Sequence, residues 1–151
     1  MHIRSVAMSH VLNRSRWKFW AFLLMVLLMP GCSANKAKKA AEAGVIAFHS
    51  QLNATQYHDI YSQASEEFQK SGTEPELTEF FAAVHKKLGQ VKDAKEQRFF
   101  VNFSTGGTAV TLTYQTDFDG GQATEQFVWK VSNNKPILFN YRIDSRALIT
   151  K

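Results

Sequence analysis

Around Gly89 the spacing of apolar residues changes from every third or fourth position to every second, and few folds accommodate both halves of such a chain. Upstream, Ala41, Val45, Phe48 and Leu52 form one stripe at helical spacing, and Tyr57, Ile60, Tyr61, Ala64 and Phe68 form a second after a turn at Asn53-Ala54-Thr55. Leu77, Phe80, Phe81, Val84 and Leu88 form a third. Its ends are the best marked: Thr73 can cap it, Pro75 suits its first turn, Glu76 stands at the capping-box position, and Gly89 can end it.

Downstream, four runs alternate. Their apolar sets are Phe99, Val101 and Phe103; Val110, Leu112 and Tyr114; Phe127, Trp129 and Val131; and Ile137, Phe139, Tyr141 and Ile143. Turn sequences separate them at Thr105-Gly106-Gly107, Asp119-Gly120-Gly121 and Ser132-Asn133-Asn134-Lys135-Pro136. Short connections make an antiparallel meander, and the alternation predicts one buried and one wet face. The helices are the only available cover. The expected fold is therefore α+β, with three N-terminal helices packed on one face of a curved four-stranded antiparallel meander sheet.

The first 32 residues follow other rules. Arg4, Arg14, Arg16 and Lys18 precede an apolar run from Phe19 to Met29, with no Asp or Glu among them. A charged head before a short apolar run is the grammar of a secretory signal, and the run falls well short of the roughly 20 residues that span a bilayer. With the leader's four positive charges set aside, 14 basic residues face 13 acidic ones, although the whole chain carries +5. Without a concentrated basic face, no nucleic-acid partner is expected.

Cys32 is the single cysteine, so an internal disulfide is excluded. The stretch Leu27-Leu28-Met29-Pro30-Gly31-Cys32 resembles the lipobox of bacterial lipoproteins, in which the cysteine after a small residue is acylated and becomes the mature N-terminus. The resemblance implies a lipid-anchored, periplasm-facing protein of the cell envelope whose bilayer partner is reached through Cys32; Ser33 directly after it favours the outer membrane. Cleavage near Ala34 and an uncleaved anchor are the alternatives. The expected organisation is a signal peptide over 1–32, a polar tether over 33–39 and a domain over 40–151.

Candidate site residues are few. Tyr57, Tyr61 and His85 can line a pocket from the helices, and Tyr114, Trp129 and Tyr141 can wall it from neighbouring strands, although a filled core and a helix–sheet seam are the stronger explanation of these residues. His49 and His58 fall beside the stripes and are expected to face solvent. The inward strand sets contain no Asp, Glu or His, so a proton-transfer residue is missing from the expected interior, and no catalytic residue is assigned. No histidine has a ligand-like partner, and Asp117-x-Asp119-Gly120 lacks the third oxygen ligand and distal Glu of a calcium loop. Neither metal nor cofactor is expected.

Phe48 and Leu52, Tyr57 with Ile60-Tyr61, Ser65-Glu66-Glu67-Phe68, Leu88-Gly89 and Asn140-Tyr141-Arg142-Ile143, in this order of helices and strands, carry a resemblance to the nuclear-transport-factor-2-like (cystatin-like) fold, and within it to short secreted bacterial proteins of uncharacterised function. The resemblance implies a fold more than an activity. Three readings stand open: a non-catalytic binding module for a protein or small ligand, a small cavity enzyme resembling ketosteroid isomerase, and a subunit that pairs through the outer sheet face as a homodimer.

Overall fold

The structure is a computed structural model in which residues 30–149 are described. The apolar leader and residues 150–151 lie outside the described residues, as do the side chains of residues 30–32. Helix α1 runs Pro30–Asn53, α2 Tyr57–Ser62, α3 Glu66–Gln69 and α4 Glu74–Leu88. The strands follow as β1 Val91–Ser104, β2 Gly107–Phe118, β3 Gly121–Ser132 and β4 Lys135–Asp144, and the short α5 Arg146–Ile149 comes after them. The sheet is antiparallel in the order β1-β2-β3-β4, so the fold is α+β. Among the described residues no helix is long and apolar enough to cross a membrane.

The helices differ from expectation in two ways. Residues 33–39, expected as a tether, continue α1, with Ala37 buried in the core and Lys38 bound to Glu42 and, at 2.9 Å, to Glu96 of β1. Their Ala and Lys content is that of a strong helix former as much as of a linker. The second expected helix is two helices. The Ser65 N–H leaves the helical ladder and donates to the Leu138 carbonyl at 2.8 Å, while the Ser65 hydroxyl caps α3 by accepting from the Phe68 N–H. Glu67 then meets Lys130 at 2.5 Å, and that ammonium holds the Glu67 carboxyl down to about 2. Among the described residues, helices therefore number four before the sheet and one after it.

Helix α4 forms as its ends dictate. The Thr73 N–H donates to Glu76 Oε2 at 2.8 Å, and Gly89 ends the helix at φ +75°. A Cβ there would lie 2.7 Å from the Asp119 side chain, so glycine serves both the turn and the close approach. The Asp119-Gly120 hairpin turn docks on this end, with the Gly120 N–H donating to the Leu88 carbonyl at 2.7 Å.

All four strands extend further than the alternating runs, and two bulges change which residues face inward. In β4 the register shifts between Val128 and Trp129, pairing them with Asn140 and Leu138. Phe139 becomes the extra residue, so Leu138 and Tyr141 are buried and the inward places expected for Ile137 and Phe139 are lost. In β1 a shift between Glu96 and Arg98 brings Glu96 onto the inner face beside Tyr114. Phe99, Val101 and Phe103 do face inward, opposite Leu112, Val110 and Thr108, but Phe99 and Phe103 remain 51% and 54% exposed because the edge strand reaches beyond the helical cover.

The core is aromatic. Phe48 of α1 sits at its centre, with ring centroids 4.7 Å from Tyr141, 5.1 Å from Phe127 and 5.7 Å from Phe81. Edge-to-face and tilted contacts at these spacings add to the burial of the rings themselves.

Candidate functional site

Strand β3 starts directly after the Asp119-Gly120 turn, and counting back by twos from Val131, Trp129 and Phe127 makes Glu125 and Ala123 inward residues. Glu125 has no exposed surface. Burying a carboxylate costs several kcal/mol unless donors replace the water it loses. Three are in place: Thr116 Oγ1 on β2 at 2.5 Å, Tyr141 Oη on β4 at 2.6 Å, and His49 Nε2 on α1 at 2.8 Å. With the carboxylate as acceptor, His49 Nε2 carries the hydrogen. Tyr114 and Ile143 flank Glu125 in register, so Thr116 and Tyr141 reach it along the sheet diagonals.

The interior free of Asp, Glu and His expected from the alternating runs is thus overturned by Glu125, by half-buried Glu96 and by His49, which is buried rather than solvent-facing. Only their positions pointed to burial. His49 lies four residues after Val45 and eight after Ala41, on the flank of the first stripe, and Glu125 keeps the parity of Phe127. His58 is exposed as expected and meets Glu74 at 2.5 Å.

This cluster is closed. Both oxygens of Glu125 are engaged, and Phe48, Phe127 and Tyr141 surround them. Burial, with the charge and hydrogen bond of Glu125 added, raises the Tyr141 phenol well above its ordinary range. Such a phenol is a hydrogen-bond donor rather than a base.

A second feature is open. A cleft of about 170 Å³ lies between α1, α2 and the β3–β4 pair, walled by Gly44, Ala47, Ile60, Trp129 and Leu138. Gly44 sets its depth: a Cβ there would stand 3.0 Å from the Trp129 ring, so glycine lets the helix rest on the indole. Trp129 is 5% exposed, and its indole N–H finds no acceptor among the described residues. A buried donor without a partner costs about 1–3 kcal/mol.

The six residues expected to share a pocket are dispersed. Tyr57 Oη and His85 Nδ1 pair at 2.8 Å between α2 and α4, and burial raises the Tyr57 phenol. Tyr61 is half-buried elsewhere on α2. Tyr114 is buried near Phe127, Tyr141 serves Glu125, and Trp129 alone lines the cleft. Cys32 falls within α1, its side chain outside the described residues.

The outer sheet face is polar, with a hollow of about 180 Å³ lined by Thr113, Thr124, Gln126, Arg142 and Asp144. No group of three metal-ligating side chains occurs among the described residues. The chain matches no protein-family model and no curated protein.

Proposed function

We propose that this chain is a bacterial envelope lipoprotein, acylated at Cys32 and favouring the outer membrane. On this reading its nuclear-transport-factor-2-like domain is a non-catalytic binding module. The leader and its Gly31-Cys32 end support the anchor, and the order of helices before a four-stranded antiparallel meander supports the fold assignment. The observation that carries the binding reading is the open cleft under Gly44, walled by Ala47, Ile60, Trp129 and Leu138. An apolar group from a small molecule or a peptide fits walls of that kind.

Glu125 supplies the enzyme reading with the interior carboxylate it needs. A substrate would nevertheless have to displace donors from a group without exposed surface, and this favours a structural role.

Trp17 and Trp20 leave with the leader on this reading, so Trp129 is the only tryptophan of the mature protein. Octanoate, whose alkyl chain suits the cleft walls, should therefore shift and strengthen tryptophan emission, and acetate, which has the carboxylate without the chain, should not. Filling the cleft from its rim with Ala47→Phe should abolish the response. An emission spectrum indifferent to octanoate, or one altered equally by both compounds, would remove the ligand assignment. Fatty-acid labelling that survives Cys32→Ser would remove the anchor.

A further inference from the structure

The edge strand β1 bears three phenylalanines that the fold leaves uncovered: Phe99 at 51%, Phe100 at 64% and Phe103 at 54% exposure. They project from both faces of the sheet. Phe99 and Phe103 pair with Leu112 and Thr108 on the helix side, and Phe100 pairs with Thr111 on the other. Scattered exposed apolar residues are ordinary, but three large rings within five positions of one edge form a patch.

Two features say what covers it. Register shifts at Val91/Asp93 and at Glu96/Arg98 leave residues 98–104 as the longest regular stretch of that edge, and a second copy adding a strand there would pair with the backbone while leaving the rings on both faces uncovered. Sheet-on-sheet packing by a second copy would cover Phe99 and Phe103 or Phe100, but not both sets. A fluid apolar phase can surround the edge on both faces at once. The location agrees. The Lys38 ammonium lies 4.8 Å from the Phe99 ring centroid, and Cys32 is six residues before Lys38. Six residues reach at most about 20 Å however they run. Lys36 and Lys39 beside Lys38, and Arg98 beside Phe99, are exposed, and such cations suit anionic headgroups.

We infer that the Phe99–Phe103 edge is a membrane-docking surface that inserts at the headgroup level of an anionic bilayer and holds the domain against the membrane. The inference rests on the anchor at Cys32, which supplies the proximity that three rings alone would not. Docking turns a tethered domain into an oriented one: α1 begins at the bilayer, and the sheet edge lies along it.

The test uses the acylated full-length product in vesicles of phosphatidylethanolamine and phosphatidylglycerol containing spin-labelled lipid. Acylation blocks Cys32, the only native cysteine, so Phe100→Cys places a single reactive thiol for an environment-sensitive fluorophore, and Gln126→Cys on the outer face serves as the comparison. Docking predicts that the probe at position 100 shifts to the blue and is quenched by the spin-labelled lipid, while the probe at 126 is not. Phe103→Cys provides a second edge position and should behave like position 100. Protein that stays with the vesicles while the position-100 probe remains water-like and unquenched would overturn docking and leave the anchor standing. Disulfide cross-linking between two copies through position 100, without quenching, would overturn it in favour of a second copy. Protein that washes off the vesicles, with Cys32 unacylated, would remove the anchor and the docking together.

Discussion

A carboxylate among phenylalanine rings persists only if its donors are positioned before it is buried, and Glu125 takes one donor from each of three elements. That makes it a joint between α1, β2, β3 and β4, and its energetics are asymmetric. Glu125→Met leaves the His49 N–H, the Thr116 hydroxyl and the Tyr141 hydroxyl buried without an acceptor, and we expect a loss of about 3–5 kcal/mol in urea unfolding followed by Trp129 fluorescence. Replacing the donors as well, with His49→Leu, Thr116→Val and Tyr141→Phe in the same chain, should restore most of that loss, because no polar group is then stranded. A quadruple variant less stable than Glu125→Met would show that packing, not the unpaired donors, sets the cost. Tyr141 was legible as an inward residue, since the β4 bulge leaves its parity intact. Glu125 and Thr116 were not, because the alternating apolar runs stop at Phe127 and Tyr114 and a charged residue does not announce burial. The turn at Asp119-Gly120 was the available clue: a two-residue hairpin forces its strands to begin at once, whatever their polarity.

At the scale of the elements, what the sequence marked best were ends and periods. The capping box at Thr73-Glu76, the stop at Gly89 and the turns at Gly106-Gly107, Gly120-Gly121 and Asn133-Asn134 appear where their turn chemistry requires. What local pattern could not show were the departures driven by tertiary contacts. Ser65 breaks a continuous helical stripe to reach Leu138, and the β4 bulge moves Phe139 outward, where its ring lies 4.5 Å from the Lys130 ammonium. The end of α1 offers a test. Its Gln56 N–H donates to the Gln51 carbonyl at 2.9 Å and its Thr55 N–H to the Leu52 carbonyl at 3.1 Å, the Schellman pattern, with Thr55 at φ +57° where glycine is preferred. A β-branched residue there is strained by about 1–2 kcal/mol, and glycine gives back part of the gain through its freer unfolded chain. Thr55→Gly should raise stability by about 0.5–1 kcal/mol, read as a higher urea midpoint at unchanged slope. Gly44→Ala should do the reverse despite its better helix propensity, worth about 1 kcal/mol. Its methyl group meets a Trp129 ring already stacked 6.1 Å from Phe127, and overpacking of that kind costs about 1–3 kcal/mol.

For the molecule as a whole, the buried and half-buried phenols set how stability responds to base. Tyr57, Tyr114 and Tyr141 are all raised above the ordinary value of 10.0, with burial the first cause in each. A raised folded-state value means that the unfolded chain releases these protons first. The stability they contribute is therefore complete below pH 10 and falls as pH climbs from there through the folded values. Tyr141, enclosed and bonded to Glu125, should be the last to ionise and should do so only as the core opens. The wild-type protein should then show little tyrosine-linked change up to about pH 10. Above it, stability should drop by about 1.4 kcal/mol per pH unit for each phenol still protonated in the folded state. The last phenolate absorbance to appear, that of Tyr141, should rise together with the loss of Trp129 tertiary signal. Tyr141→Phe separates the two roles of that residue. It removes a donor from Glu125, so it should lower stability at neutral pH by about 1–3 kcal/mol, and it also removes a proton-linked group, so its decline above pH 10 should be shallower than that of the wild type. A variant with the wild-type alkaline slope would place the base sensitivity elsewhere in the molecule and detach Tyr141 from it.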